Sequence, residues 1–104
     1  MDPSHLSEEF RDFLKCLNEA GVDYLLIGGH AVAFHGYVRP TTDMDIWISL
    51  DKTNAEKAVG AAFQRRIQVE IDGVSANVIG LSDLKENKRA SGRNKDLADL
   101  DNLP

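Results

Sequence analysis

Disulfide chemistry is excluded first: the 104 residues hold a single cysteine, Cys16, and one thiol cannot close an internal bridge. Its place in an amphipathic run predicts a buried structural thiol. No apolar run nears the roughly 20 residues that a membrane-spanning helix needs, and no signal-peptide pattern is visible. The chain is therefore expected to be cytoplasmic, with no membrane partner. A basic excess is lacking as well. The formal charge is −5 and the pI is near 5.0. That balance argues against a general nucleic-acid binder, which gains affinity by releasing counterions from phosphates. Repeats and low-complexity segments are absent. With 42% hydrophobic residues there is material for one modest core, so residues 1–104 are read as one domain.

What is present centres on Asp43-Met44-Asp45, which leads into the apolar run Ile46-Trp47-Ile48. Side chains alternate along a strand, so Asp43 and Asp45 point the same way, about 7 Å apart. Two acids so placed either sit in water at a strand mouth or hold one or two divalent cations. Like charges at that separation raise each other's pKa, and a cation or basic neighbour relieves this. Upstream, Tyr24 to Ile27 reads as a short buried strand broken by Gly28-Gly29, and Ala31 to Phe34 as the first turn of a helix ending at Gly36. A strand, a glycine turn and a helix start present bare N–H groups to phosphate. Coupled to the acid pair, this suggests a site that holds a triphosphate by its oxygens on one side and its magnesium on the other.

Around this centre, Phe10, Phe13, Leu14 and Leu17 recur at helical spacing after a loose terminus, and Gly21 stops that helix. Pro40 forbids a helix through it and leads to an acidic strand over Asp43 to Leu50. Thr53 and Glu56 match a capping box for a third helix with Ala55, Ala58, Val59 and Ala62 inward. Strands over Ile67 to Ile71 and Val74 to Ile79 flank the hairpin signal Asp72-Gly73. Ser82 is expected to cap a helix that Gly92 stops, and Leu97, Leu100 and Leu103 to mark one more. The order implies an α+β fold: a small mixed β-sheet with flanking helices. Lys85, Lys88, Arg89, Arg93 and Lys95 crowd one segment, either as a solvated helix face or as a groove for phosphates or an RNA end.

The run LLIGGHAVAFHGYVRPTTDMDIWI resembles the minimal nucleotidyltransferases of the polymerase β superfamily, marked by a hydrophobic strand, G-[GS], a short helix and D-x-D on the next strand. It is most similar to the AbiEii abortive-infection and MNT antitoxin types. The tail VEIDGVSANVIGLSDLKENKRASGRNKDLADLDNL looks like theirs too, with Lys88-x-Ala90-x-Gly92-Arg93-x-Lys95-Asp96 near its end. The resemblance implies a nucleotidyltransferase-like fold and a magnesium- or manganese-dependent enzyme. Such an enzyme moves a nucleoside monophosphate from a triphosphate, ATP by expectation, to a hydroxyl on a protein, tRNA or small molecule. Asp43 and Asp45 would bind the metal, Gly28 and Gly29 would cradle phosphates, and Arg39 or Lys88 would offset negative charge. A toxin–antitoxin setting, with a HEPN-type protein partner, is also implied.

The chain departs from this pattern in one respect. Relatives bring a third carboxylate from a strand between the third helix and the segment matching Ile67 to Asp72. Here the helix runs through Phe63 into Gln64-Arg65-Arg66 without turn residues. Either this is a naturally shortened form or a segment is lacking near residues 63–64. The nearest substitute acid is Glu70, a weak one that an exposed hairpin position explains better. Loss of the third acid supports an alternative: a degenerate, non-catalytic domain that acts by binding a partner protein. His30 and His35 are either packed core residues or contacts to phosphate or ribose, and Trp47 either covers the sheet or stacks on a base.

Overall fold

The computed structural model describes residues 7–38, 44–48 and 60–104. Helix α1 spans Glu8–Glu19, and Ser7 caps it by accepting the Phe10 N–H at 3.2 Å. It ends in a left-handed turn at Gly21 (φ +67°), where Gly21 N–H reaches Asn18 O and Val22 N–H reaches Leu17 O, which satisfies two carbonyls the helix leaves over. Leu14 and Leu17 face the core, while Phe13 is 44% exposed. Cys16 is exposed rather than buried; it adjoins Leu17 on the helix but does not share its inward face.

Strand β1 covers Tyr24–Ile27 and helix α2 Gly28–Phe34. The helix thus begins at the glycines, three residues before the expected start at Ala31. Strand β2 is described over Asp45–Ile48, strand β3 over Ile67–Ile71 and strand β4 over Val74–Val78. Between β2 and β3, residues 60–64 are helical. The capping box at Thr53 and most of that helix's predicted stripe lie outside the described residues; Ala62 is buried. Asp72 (φ 51°) and Gly73 (φ 79°) are both left-handed, the turn whose twist matches a two-residue hairpin.

The four strands form one mixed sheet in the order β2-β1-β4-β3. β1 pairs antiparallel with β2, with Ile27 opposite Asp45 and Leu25 opposite Trp47. β1 also pairs parallel with β4 through Leu26 and Val78, and β3 pairs antiparallel with β4. The connection into β3 is abrupt. Only Arg65 and Arg66 separate it from the helical residues, and the Arg66 guanidinium lies over the Phe63 ring at 4.0 Å and donates to Phe63 O. Backbone bonds from Arg65 N–H to Ala62 O and from Arg66 N–H to Phe63 O, both 3.1 Å, close this turn, in which no glycine or proline is present.

Helix α3 spans Leu81–Ser91 and helix α4 Asn94–Asn102. Gly80 rather than Ser82 stands at the N-cap of α3, and left-handed Gly92 closes it through an N–H bond to Lys88 O. Helix α1 sits on β4: Asn18 Nδ2 donates to Ser75 O at 2.8 Å. The buried Tyr24 hydroxyl donates to Asn18 Oδ1 at 3.2 Å and accepts from the Asn77 N–H at 3.3 Å. Burial pushes this phenol above its ordinary pKa, against the lowering effect of the Asn77 bond. The core joins Leu25, Leu26, Val32, Val78, Ile79 and Leu84, all fully buried. Among the described residues no helix is long and apolar enough to cross a membrane.

Candidate functional site

The glycine turn and the acidic strand meet because of the sheet register. With Ile27 opposite Asp45, the next residue along β1 lies against the Asp45 side chain. That residue is Gly28, at φ +67°, where a Cβ would stand 2.3 Å from Asp45 Oδ2 and 2.9 Å from Asp45 Cβ. Two requirements, a left-handed backbone and the absence of a side chain, fall on one position, and only glycine meets both.

These residues open a cleft of about 610 Å³. Ile27, Gly28, Gly29, Met44, Asp45, Ile46 and Trp47 line one wall. Asn87, Lys88 and Ser91 from α3, and Arg93 and Lys95 from the start of α4, line the other. Trp47 is half-buried and packs against the core as well as bordering the cleft.

The second wall rests on a buried ionic cluster. Lys88 Nζ lies 3.1 Å from Asp96 Oδ1 and 3.0 Å from Asp99 Oδ2, and all three side chains are at most 4% exposed. Asp96 also receives Arg93 Nε at 2.7 Å and the Arg93 backbone N–H at 3.3 Å. Burial pushes the Asp96 carboxyl up, but the bonds and charges of Arg93 and Lys88 outweigh this and hold its pKa at about 2. Arg93 is raised above its ordinary value, first by its bond to Asp96 and by that carboxylate's charge, against some desolvation, and then by the charge of Asp45 across the cleft. The Arg93 side chain remains 62% exposed.

Of the expected site residues, Gly28, Gly29, Asp45 and Lys88 come together here. Asp43 and Arg39 lie outside the described residues. Lys88 reaches the cleft wall, but its ammonium is engaged by two carboxylates, so it braces the wall instead of offering a cation to a ligand. Glu70 does not join the site. It is exposed on β3 opposite Ser75, and the strand order puts β3 at the far edge of the sheet from β2, about 14 Å away at the usual strand spacing. His30 is buried with its ring edge-on to Phe10, and His35 Nε2 lies 2.7 Å from Ile79 O; both are packed within the fold and neither lines the cleft.

Arg93 and Lys95, two members of the basic segment, also line the cleft, and so do Asn87 and Ser91, which no sequence signal singled out. Which members of the basic segment face the cleft depends on the α3–α4 turn: Lys85 instead donates to Pro104 O, and Arg89 pairs with Glu86. Among the described residues no group of three His, Cys, Asp or Glu side chains is spaced to hold a metal. Asp45 by itself offers hard carboxylate oxygens, which suit magnesium when phosphate oxygens and water complete the shell. No family model, curated protein or solved structure matches the chain.

Proposed function

We propose that the chain is a magnesium-dependent nucleotidyltransferase with a nucleotidyltransferase-like fold, acting on a nucleoside triphosphate held in this cleft. The observation that carries the reading is the contact of Asp45 with side-chain-free Gly28 at the mouth of a cleft whose opposite wall is cationic. A nucleoside triphosphate–metal complex has the matching polarity, positive at its metal and negative at its terminal phosphates. Magnesium would be held by Asp45, together with Asp43 by sequence resemblance, and its chemistry is charge neutralisation and activation of an acceptor hydroxyl. Gly28 and Gly29 leave room for phosphate oxygens beside the backbone, and Trp47 borders the space a base would fill. In the transfer, the acceptor oxygen bonds to the α-phosphorus as the bond to pyrophosphate breaks, and a cleft carboxylate takes the hydroxyl proton.

Calorimetry on the wild type and Asp45→Asn tests this. Magnesium and ATP should bind better jointly than separately, and Asp45→Asn should remove that synergy. Equal ATP affinity in both proteins, with and without magnesium, sinks the reading.

One observation favours a second reading. Glu70 is remote from Asp45, and among the described residues no other acid lines the cleft. A domain of this kind binds the nucleotide without transferring it and acts through a protein partner, for which the sequence resemblance suggests a HEPN-type toxin. Pyrophosphate release in the presence of candidate acceptors separates the two readings.

A further inference from the structure

The tail segment Lys88-x-Ala90-x-Gly92-Arg93-x-Lys95-Asp96 carries no chemistry that spacing alone shows, yet it builds one wall of the cleft. Gly92 ends α3 in a left-handed turn, and α4 starts two residues later. This fold-back brings Asp96 and Asp99, one helical turn apart on α4, onto Lys88. The inward face of α4 therefore carries two aspartates ahead of the buried Leu103 at its C-cap, while Leu97 on the same helix is 48% exposed. A helix that buries two aspartates and leaves a leucine in water is organised around the lysine that meets them. Asp96 then turns outward toward one more cation: it receives Nε of Arg93 at 2.7 Å and Nη2 at 3.4 Å. Those bonds set the plane of the guanidinium. Its Nη1 group has no partner among the described residues, and the side chain stands at the cleft beside exposed Lys95.

We infer that Arg93, oriented by Asp96 on the Lys88–Asp99 platform and assisted by Lys95, is the binding subsite for the diphosphate end of a phosphate-chain ligand in this cleft. A guanidinium already fixed by a buried carboxylate loses little freedom when an anion arrives, and its planar donors match phosphate oxygens. Asp45 on the facing wall gives direction, leaving metal-free phosphates to the Arg93 side and accepting the metal-bearing part of the chain. The ligand's identity as a nucleoside triphosphate rests on the proposed function; the anion subsite rests on the cleft itself. Asp96 and Lys88 are positioning residues.

The test is calorimetric titration of the whole chain with sodium pyrophosphate, without divalent metal, and separately with magnesium–ATP. Wild type should bind pyrophosphate, and Arg93→Ala should weaken it by about tenfold or more, as expected for a charge-assisted bond. Added ethylguanidinium should restore part of the loss, which a purely structural role of Arg93 would not allow. A measurement on the wild type removes dependence on the variant's folding: pyrophosphate should shift the Arg93 Nε–H resonance and leave that of Arg65, paired with Asp83 at 2.7 Å outside the cleft, in place. Wild type that ignores pyrophosphate, unchanged affinity in a folded Arg93→Ala, or an unmoved Arg93 resonance overturns the subsite. Pyrophosphate binding that depends on Arg93, in a protein showing no magnesium–ATP synergy, upholds the subsite and defeats the nucleotidyltransferase reading instead.

Discussion

Replacing Lys88 with methionine keeps the length of the aliphatic stem and removes the charge that holds two buried carboxylates. Nζ lies 3.1 Å from Asp96 and 3.0 Å from Asp99, with the lysine side chain 4% exposed. Removing one partner from a buried pair costs about 3–5 kcal/mol, because the remaining charge stays desolvated. Asp96 keeps its bonds from Arg93, which favours the lower end of that range. Domains of this size are stable by about 5–15 kcal/mol, so Lys88→Met is expected to remove a large fraction of the total. In urea, with a slope of about 1–3 kcal/mol per molar, the midpoint should fall by about 1–3 M at pH 7. Two effects identify the cause. Adding Asp99→Asn to Lys88→Met should recover part of the loss, since it discharges a carboxylate left behind. Lowering the pH to about 5 should narrow the gap to wild type, because burial and the charge of Asp96 favour the protonated form of Asp99 once Lys88 no longer balances them. A loss under about 1 kcal/mol, equal at both pH values, would refute a dry ionic cluster and with it the platform assigned to Arg93.

The Asp96 pKa of about 2, against an ordinary 3.8, sets an acid limb. A depressed carboxyl contributes stability above pH 4, about 2 kcal/mol here, and that contribution disappears as pH falls from about 4 to about 2. Denaturation of wild type and Asp96→Asn across that window should show their difference shrinking toward the acid end. Gly28→Ala and Gly21→Ala share φ +67°, but nothing lies within 4 Å of a Cβ at Gly21. Both variants should lose about 1–2 kcal/mol to the backbone, and Gly28→Ala should lose more and alone impair magnesium–ATP binding; equal behaviour in calorimetry and thermal melts would contradict the Asp45 contact. Glu70→Gln should leave magnesium–ATP affinity and any transfer rate unchanged, and a drop in either would mean that the far-edge strand reaches the cleft.

Local signals carried most of the fold. The limits of β1, the Asp72-Gly73 hairpin and the stop at Gly92 depend on backbone preferences of a few adjacent residues, and a sequence displays those directly. The pairing of Gly28 with Asp45 was half legible: both residues stood out, but their contact needs the antiparallel register of β1 and β2. The last helix was legible, but its ionic contacts were not. Leu97, Leu100 and Leu103 mark α4 by their spacing, and Leu103 is buried, yet Asp96 and Asp99 are buried as well because Lys88, eight residues before Asp96, meets them across a turn. Hydrophobic periodicity has no term for an ion pair between two helices. Ser82 lost the N-cap of α3 to Gly80 because β4 hands the chain over two residues earlier than its hydroxyl suggests. Glu70 failed as a third acid because strand order, unlike strand position in sequence, is a long-range property.

The parallel pairing of Leu26 with Val78 also has a kinetic consequence. Closing that contact requires the whole intervening chain to loop back, an entropic toll that contacts within the α3–α4 hairpin largely avoid. The cationic wall, whose Lys88–Asp96 bond spans eight residues, is thus expected to assemble from local contacts, and the two walls to face each other only when β1 docks on β4. Conservative truncations such as Val78→Ala should then slow refolding less than they speed unfolding, if the sheet centre closes late. A ligand that bridges both walls would bind only the molecule in which that last pairing has formed, and would act as a latch on the sheet.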